Sequence, residues 1–241
     1  MRKKTRRIAL ISLGLTACVL LALWGVYRAS KHVPTFYSQA IATDAAVLEQ
    51  ANDEMGSRAT ALASDVRRQG RWDALFTAQQ INGWLAVDLP RLHPGALPED
   101  VTGLRVAVEA GRATVGFRIE SGGLAIVYSV EAEMTISEPN VVAIRFVRAR
   151  AGGLPLPLSQ VLDTVTDAAR RLELPLRWAQ ADGDPVALVT VARDIGAGRD
   201  TTIFDTLELL AGDSGGGEVY IAGTTGPTDA RRTGIEPQEA E

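Results

Sequence analysis

The chain has 241 residues, 46% apolar and 22% charged, a balance that excludes both a wholly disordered polypeptide and a multi-pass membrane protein. Its single cysteine excludes an intramolecular disulfide framework. Residues 1–31 hold seven basic groups and no acid, leaving 18 basic groups against all 29 acids, a net charge of −11, in the remaining 210 residues; such a body repels nucleic acid and bare anionic headgroups.

Ile8 to Tyr27 is a run of twenty residues without charge. At about 1.5 Å per residue, a helix of that length reaches roughly 30 Å, the thickness of a bilayer's hydrocarbon core. Arg2, Lys3, Lys4, Arg6 and Arg7 hold residues 1–7 in the cytoplasm, while Trp24 and Tyr27 suit the opposite headgroup boundary. The pattern predicts a single-pass signal anchor over residues 8–27 in the cytoplasmic membrane, with an extracytoplasmic body. A cleaved signal is the weaker reading, because Trp24, Tyr27 and Arg28 stand where small residues would precede the cut. Leu15-Thr16-Ala17-Cys18 resembles a lipobox, but Val19 to Leu23 continues apolar beyond it, so Cys18 reads as a small thiol within a spanning helix.

After Pro34, Phe36 to Gly70 places Ile41, Leu48, Met55 and Leu62 seven apart, with Ala45, Ala51, Ala59 and Val66 in the same stripe. This predicts one amphipathic helix roughly 50 Å long within a juxtamembrane segment, residues 28–70. It can act as a stalk, lie along a sheet, or pair with a second copy or an envelope protein through a thin alanine seam.

Trp72 to Phe76 reads as a short strand. Thr77 and Gln80 have capping-box spacing, so a helix starts near Ala78, with Ile81, Trp84, Leu85 and Leu89 on one side, and Pro90 with His93-Pro94-Gly95 ends it. Then Leu104 to Val108, Ala113 to Ile119 and Leu124 to Ile136 alternate apolar and polar residues with short turns between, and Pro139-Asn140 leads to a fourth strand, Val141 to Arg150. That is an antiparallel meander, wet on one face.

Gly152-Gly153 ends the run. Leu158, Val161, Leu162, Val165, Ala168, Ala169 and Leu172 form a helical stripe that must bury on the sheet, with Arg170 and Arg171 suiting the last turn. Further strands are expected at 174–179, 186–192, 206–211 and 218–223, and the tail from Thr225 reads as disordered. The whole is an α+β protein: a transmembrane helix, a long amphipathic helix, and a curved antiparallel β-meander packed on one or two helices in an extracytoplasmic domain at 71–224, with a tail at 225–241.

Gly212-Asp213-Ser214-Gly215-Gly216 matches the nucleophile signature of chymotrypsin-like serine proteases. A hydrolase built on Ser214 needs a histidine to take the hydroxyl proton and an aspartate to hold the imidazole. Only His32 and His93 exist, one at the membrane exit and one outside any matching motif, so the run reads better as a hairpin turn between Leu207 to Ala211 and Val219 to Ala222. Gly196-Ala197-Gly198-Arg199 lacks the Walker lysine. Asp182, Asp184, Asp194, Asp200, Asp205 and Asp213 fit no EF-hand, and one cysteine with two distant histidines leaves no zinc set. Arg145, Arg148 and Arg150 at the end of the fourth strand read as solvated charges rather than a headgroup site, and Trp72, Trp84 and Trp178 as core. The reading is a noncatalytic protein with no cofactor, no metal and no nucleic-acid partner.

The meander's apolar stripe, closed by a helix, makes either an ordinary core or an elongated cleft for a lipid or another apolar molecule. The residues that would line such a cleft are Val115, Phe117, Ile126, Tyr128, Val130, Leu162 and Val165.

The order of these features, with Phe76-Thr77-Ala78-Gln79-Gln80-Ile81-Asn82-Gly83-Trp84-Leu85 and Gly153-Leu154-Pro155-Leu156-Pro157, resembles the YpmS-type family of bacterial membrane-anchored extracytoplasmic proteins. The resemblance covers about residues 71–172. That family has no agreed activity, so the resemblance implies architecture and an envelope location, not a chemistry.

Overall fold

Alternation along the chain produces two antiparallel sheets rather than one. The computed structural model describes residues 20–21, 23–121, 123–171, 174–181, 183–191, 200–212 and 216–227. Helices α1 (23–30), α2 (Thr35–Ile41) and α3 (Ala45–Val66) precede β1 (Gly70–Thr77), α4 (Ala78–Ala86) and α5 (Asp88–Leu92). The meander follows as β2 (Val101–Glu109), β3 (Arg112–Ser121), β4 (Leu124–Glu138) and β5 (Val141–Ala151). Then come β6 (Leu154–Pro155), α6 (Leu158–Arg171), β7 (Leu176–Ala181), β8 (Asp184–Thr190), β9 (Asp200–Leu210) and β10 (Glu218–Pro227). The larger sheet runs β2-β3-β4-β5-β8-β7, with β6 beside β5, and the smaller runs β1-β10-β9. The α+β class and the antiparallel meander stand as expected.

Several expectations are corrected. The single helix over Phe36 to Gly70 is two, because the Asp44 carboxylate accepts from the Ala46 N–H at 2.8 Å and starts α3 afresh. Nor is α3 a free stalk: Leu48, Ala51 and Val66 are buried, and Leu62 and Val66 pack with Trp72 and Phe204. Pro90 does not stop the helical region, since it falls in the first turn of α5, where no backbone donor is required. The strand predicted at 206–211 begins six residues earlier, and the expected tail at Thr225 is instead the last part of β10, with Thr225 only 1% exposed. Residues 228–241 lie outside the described residues.

The apolar interior divides into three clusters. On the larger sheet's inner face, α6 packs Val161, Leu162 and Val165 against Ala132, Phe146, Ala149 and Ala187. Farther along that face, Met134, Val106, Val108 and Ala113 meet Ala78 of α4 and Leu209 and Val219 of the smaller sheet. Ile136 and Val142 reach the third cluster around Trp72 and Phe204, whose rings stack 6.3 Å apart. Asn140, in the β4–β5 turn, has φ 66°, a left-handed conformation that asparagine tolerates better than most residues. Its side chain donates to Thr202 O at 3.0 Å and its backbone N–H to Phe204 O at 2.9 Å, tying the meander turn to β9.

The outer face is not uniformly wet. Arg105, Val127 and Ser129 on that face are buried, and a Cβ on Gly116 would lie 2.8 Å from the Tyr37 ring and 2.9 Å from that of Phe36. Helix α2 therefore covers this face with two aromatic residues.

Candidate functional site

Three places in the fold are candidates: the segment Phe76 to Leu85, the apolar strip on β3 and β4, and the exit of α1. The first is explained by packing at each key position. Thr77 Oγ1 accepts from the Gln80 N–H and Gln80 Oε1 accepts from the Thr77 N–H, both at 3.1 Å, closing the predicted capping box. Asn82 donates to Val106 O at 2.8 Å and accepts from the Val106 N–H at 2.7 Å, so its amide imitates a neighbouring strand at the β2 edge. Gly83 is a glycine because a Cβ there would sit 2.5 Å from Asn52 N and 2.7 Å from Leu48 O, at the crossing of α3 and α4. The segment is a structural joint.

The seven residues expected to line an apolar cleft divide into two groups. Val130, Leu162 and Val165 pack into the α6 cluster and fill space rather than line it. Val115, Phe117, Ile126 and Tyr128 belong to none of the three clusters. Phe117 and Tyr128 are direct cross-strand partners whose rings stack 5.6 Å apart, and Val115 is 37% exposed. Together with Leu124 at the turn they form a partly uncovered apolar strip at one end of β3 and β4.

The opposite face of the larger sheet carries a ladder of charge. Arg112 reaches Glu131 at 3.5 Å and Glu133 at 3.4 Å, Arg148 reaches Glu131 at 3.5 Å, and Arg145 bridges Glu133 and Asp184. Arg145 and Arg148 are thus paired, not free for an anion. The Arg145 hydrogen bond, helped by Arg112, holds the Glu133 carboxyl below the usual carboxylate range. Under α2, Arg105 donates to Ala40 O at 3.3 Å and Leu104 O at 2.7 Å, while the buried Tyr37 hydroxyl has no hydrogen-bond partner among the described residues. Burial pushes the Tyr37 phenol up, partly offset by the charges of Arg105 and Arg118, and lowers Arg105. Arg105 lies on the outer face of β2 and is buried there, with Ala40 at the end of α2, 65 residues earlier in the chain, accepting its Nε–H.

At the N-terminal side, residues 8–19 of the expected anchor, with Cys18, lie outside the described residues, as does Ala22. No helix among the described residues is long and apolar enough to cross a membrane. Those described, Leu20, Leu21, Leu23, Trp24, Val26 and Tyr27, are 52–66% exposed. The end of α1 is nevertheless fixed. The Gly153 N–H donates to Ala29 O at 2.8 Å and the Gly152 N–H to Val127 O at 2.7 Å. Gly152 has φ +61°, and a Cβ there would stand 2.4 Å from Ser30 O, so both conformation and space demand glycine. Beside this contact lies an open concavity of about 590 Å³ lined by Gly25, Arg28, Ala29, Lys31, His32 and Gly153.

Ser214 and Gly196 to Arg199 lie outside the described residues, as do Asp182, Asp194 and Asp213. The flanking strands do form a hairpin, with Leu210 opposite Glu218. His93 stands 6.3 Å from the Trp84 ring, and His32 lines the concavity at α1. Asp184 meets Arg145, Asp200 accepts from Gln69 at 3.2 Å, and Asp205 accepts from Thr206 at 2.7 Å. Among the described residues no three histidine, cysteine, aspartate or glutamate side chains gather as a metal set. No protein-family model, curated protein or solved structure matches this chain.

Proposed function

We propose that the protein is a noncatalytic, single-pass, membrane-anchored extracytoplasmic protein, held by residues 8–27 in the cytoplasmic membrane and presenting an apolar strip to a lipid or another apolar molecule. The observation that carries this reading is α1: its apolar side chains stand exposed in water, where they are unfavourable, while its far end is pinned to the body at Gly152-Gly153. Burial in a bilayer resolves that conflict. The charge-free run from Ile8 and the five basic residues before it set the orientation, N-terminus inside. The similarity to the YpmS-type family over residues 71–172 belongs to the same reading.

Alkaline carbonate washing of membranes should leave the full-length chain in the pellet, and a reporter fused after Glu241 should be active only outside the cytoplasm. Release of the chain, or a cytoplasmic reporter, overturns the anchor. The ligand half is tested with a photoactivatable fatty acid: labelling should map to β3 and β4 and fall in Phe117→Asp, and labelling spread evenly over the chain removes the strip as a site.

A second reading, an interaction module acting through residues 36–70, is favoured by one feature. The outer side of α3 bears a shallow concavity of about 700 Å³ lined by Arg67 and Arg68 and by Ala59, Thr60, Ala63 and Ser64, the last four small enough to admit a helix closely. Sedimentation of the detergent-solubilised chain decides it, a strict monomer at high concentration removing self-association.

A further inference from the structure

We infer that the concavity at the end of α1 is a binding site for the phosphate of an anionic phospholipid in the outer leaflet of the membrane that the chain is anchored in; this rests on the anchor proposed above. The first acid in the chain is Asp44, so Arg28 and Lys31 enter the concavity with no acidic neighbour in sequence, and neither has an ion pair among the described residues. Arg145, Arg148, Arg112 and Arg118, by contrast, each meet a carboxylate. The body beyond residue 31 carries a net charge of −11 and is repelled by an anionic surface, so Arg28 and Lys31 form a cationic collar that opposes the field of the rest of the chain.

The two cations are also held at a defined depth. Arg28 lies 5.9 Å from the centroid of Trp24 and Lys31 Nζ 5.6 Å from that of Tyr27, each leaning back one turn over an aromatic ring. Trp and Tyr sit at the headgroup level, which places the guanidinium and ammonium groups where lipid phosphates are. Basic residues on the translocated side do not help orientation, which is set by those on the cytoplasmic side, so Arg28 and Lys31 need another reason to be there. The Gly152-Gly153 turn supplies rigidity: its two backbone hydrogen bonds fix α1 against β4, so the donors face the headgroup from a fixed wall instead of a loose linker. An arginine fork and a lysine point charge together match a phosphate diester, which is monoanionic and offers two free oxygens.

The test uses the full chain reconstituted in nanodiscs of equal phosphatidylcholine and phosphatidylglycerol, extracted gently and read by native mass spectrometry for retained lipid. The wild type should retain the anionic lipid over the zwitterionic one by roughly thirtyfold, the effect of two cations at a membrane surface. Arg28→Gln with Lys31→Gln should abolish the preference, and Arg28→Lys with Lys31→Arg should keep most of it. Equal retention of both lipids by the wild type, or an unchanged preference in the glutamine pair, overturns the inference. So does loss of the preference on adding millimolar inorganic phosphate, which would mark the collar as a site for soluble phosphate. Carbonate washing of the same variants separates the two proposals: chains that stay in the pellet without any lipid preference refute the site and leave the anchor, whereas chains released by the wash refute the anchor itself.

Discussion

Near residue 136, the inner face of β4 places Met134 and Ile136 beneath the smaller sheet; near residue 124, the same face of the same strand places Ile126 and Tyr128 where no core cluster reaches. Apolar residues occupy every second position at both ends, though near residue 124 Ala125 and Val127 make the other face apolar as well. What differs is the cover: at one end β1, β9 and β10 arrive from opposite ends of the chain, and at the other the stacked pair Phe117 and Tyr128 joins no core cluster among the described residues. Period-two patterning tells a strand which face is apolar, but whether that face becomes a core or a binding strip depends on elements distant in sequence.

The sharpest way to break this comparison is to remove one large side chain from each end. Trp72 is buried, stacks on Phe204, and fills the space between α3 and the smaller sheet. Trp72→Ala should cost about 3–5 kcal/mol of unfolding free energy, measured by denaturant titration in mild detergent. Val115→Ala, at the uncovered end, should cost less than about 1 kcal/mol. Similar losses at the two sites would mean that the strip is covered in solution and that the two ends do not differ.

A smaller effect is expected from the hydrogen bonds that close the covered end. Thr225 Oγ1 donates to Val66 O at 2.8 Å and accepts from Trp72 Nε1 at 3.2 Å, which leaves the Thr202 hydroxyl, also 3.2 Å away, as a second donor to it. One proton and two lone pairs are all used. Thr225→Val keeps the shape and strands the Trp72 N–H and the Val66 carbonyl, at a cost of about 1–3 kcal/mol. Unchanged stability in the same denaturant titration would show that water satisfies these groups and that the closed end is wetter than its packing implies.

Thr77→Ala removes the hydroxyl half of the capping box at the start of α4, an expected loss of about 1 kcal/mol. The variant Gln80→Ala should lose the reciprocal bond and also the contact with Glu54 at 3.4 Å. Equal stability of both variants and the wild type would mean that α4 is held by its packing on α3 and β2 alone.

What was legible in the sequence follows from the range of each signal. The capping box is a contact over three residues, and Thr77 and Gln80 make it legible in the sequence. The meander is set by alternation and short turns, and it too was legible, down to Pro139-Asn140. The split of Phe36 to Gly70 was missed because Asp44 fits an exposed helix position as well as an N-cap, and apolar spacing continues through it. The second sheet was missed because β1 and β10 pair across more than 140 residues, with Trp72 opposite Gly223 and Gly70 opposite Thr225, and no local pattern encodes such a partner. For the same reason Thr225 read as tail: polar residues near a terminus resemble disorder until a buried network accounts for them. Among the cleft residues, periodicity ranked all seven alike, although α6 consumes Val130, Leu162 and Val165 and leaves the other four.

The smallest effect belongs to the outer face, whose charges link β3, β4, β5 and β8. Arg145, and more weakly Arg112, favour the ionised form of Glu133 and depress its pKa in the folded chain. A depressed carboxylate contributes stability that is present above its unfolded pKa and is lost as pH falls through the folded value. Glu133→Gln should therefore cost no more than about 1 kcal/mol at neutral pH, the usual worth of exposed pairs, and the difference from the wild type should vanish in acid below the carboxylate range. Raised salt should shrink it as well, since Arg145 and Glu133 are partly solvated. A gap between the two chains that stays constant from neutral to acidic pH would show that Glu133 acts through packing on its neighbours, and that this face, like the covered end of β4, is held by shape more than by charge.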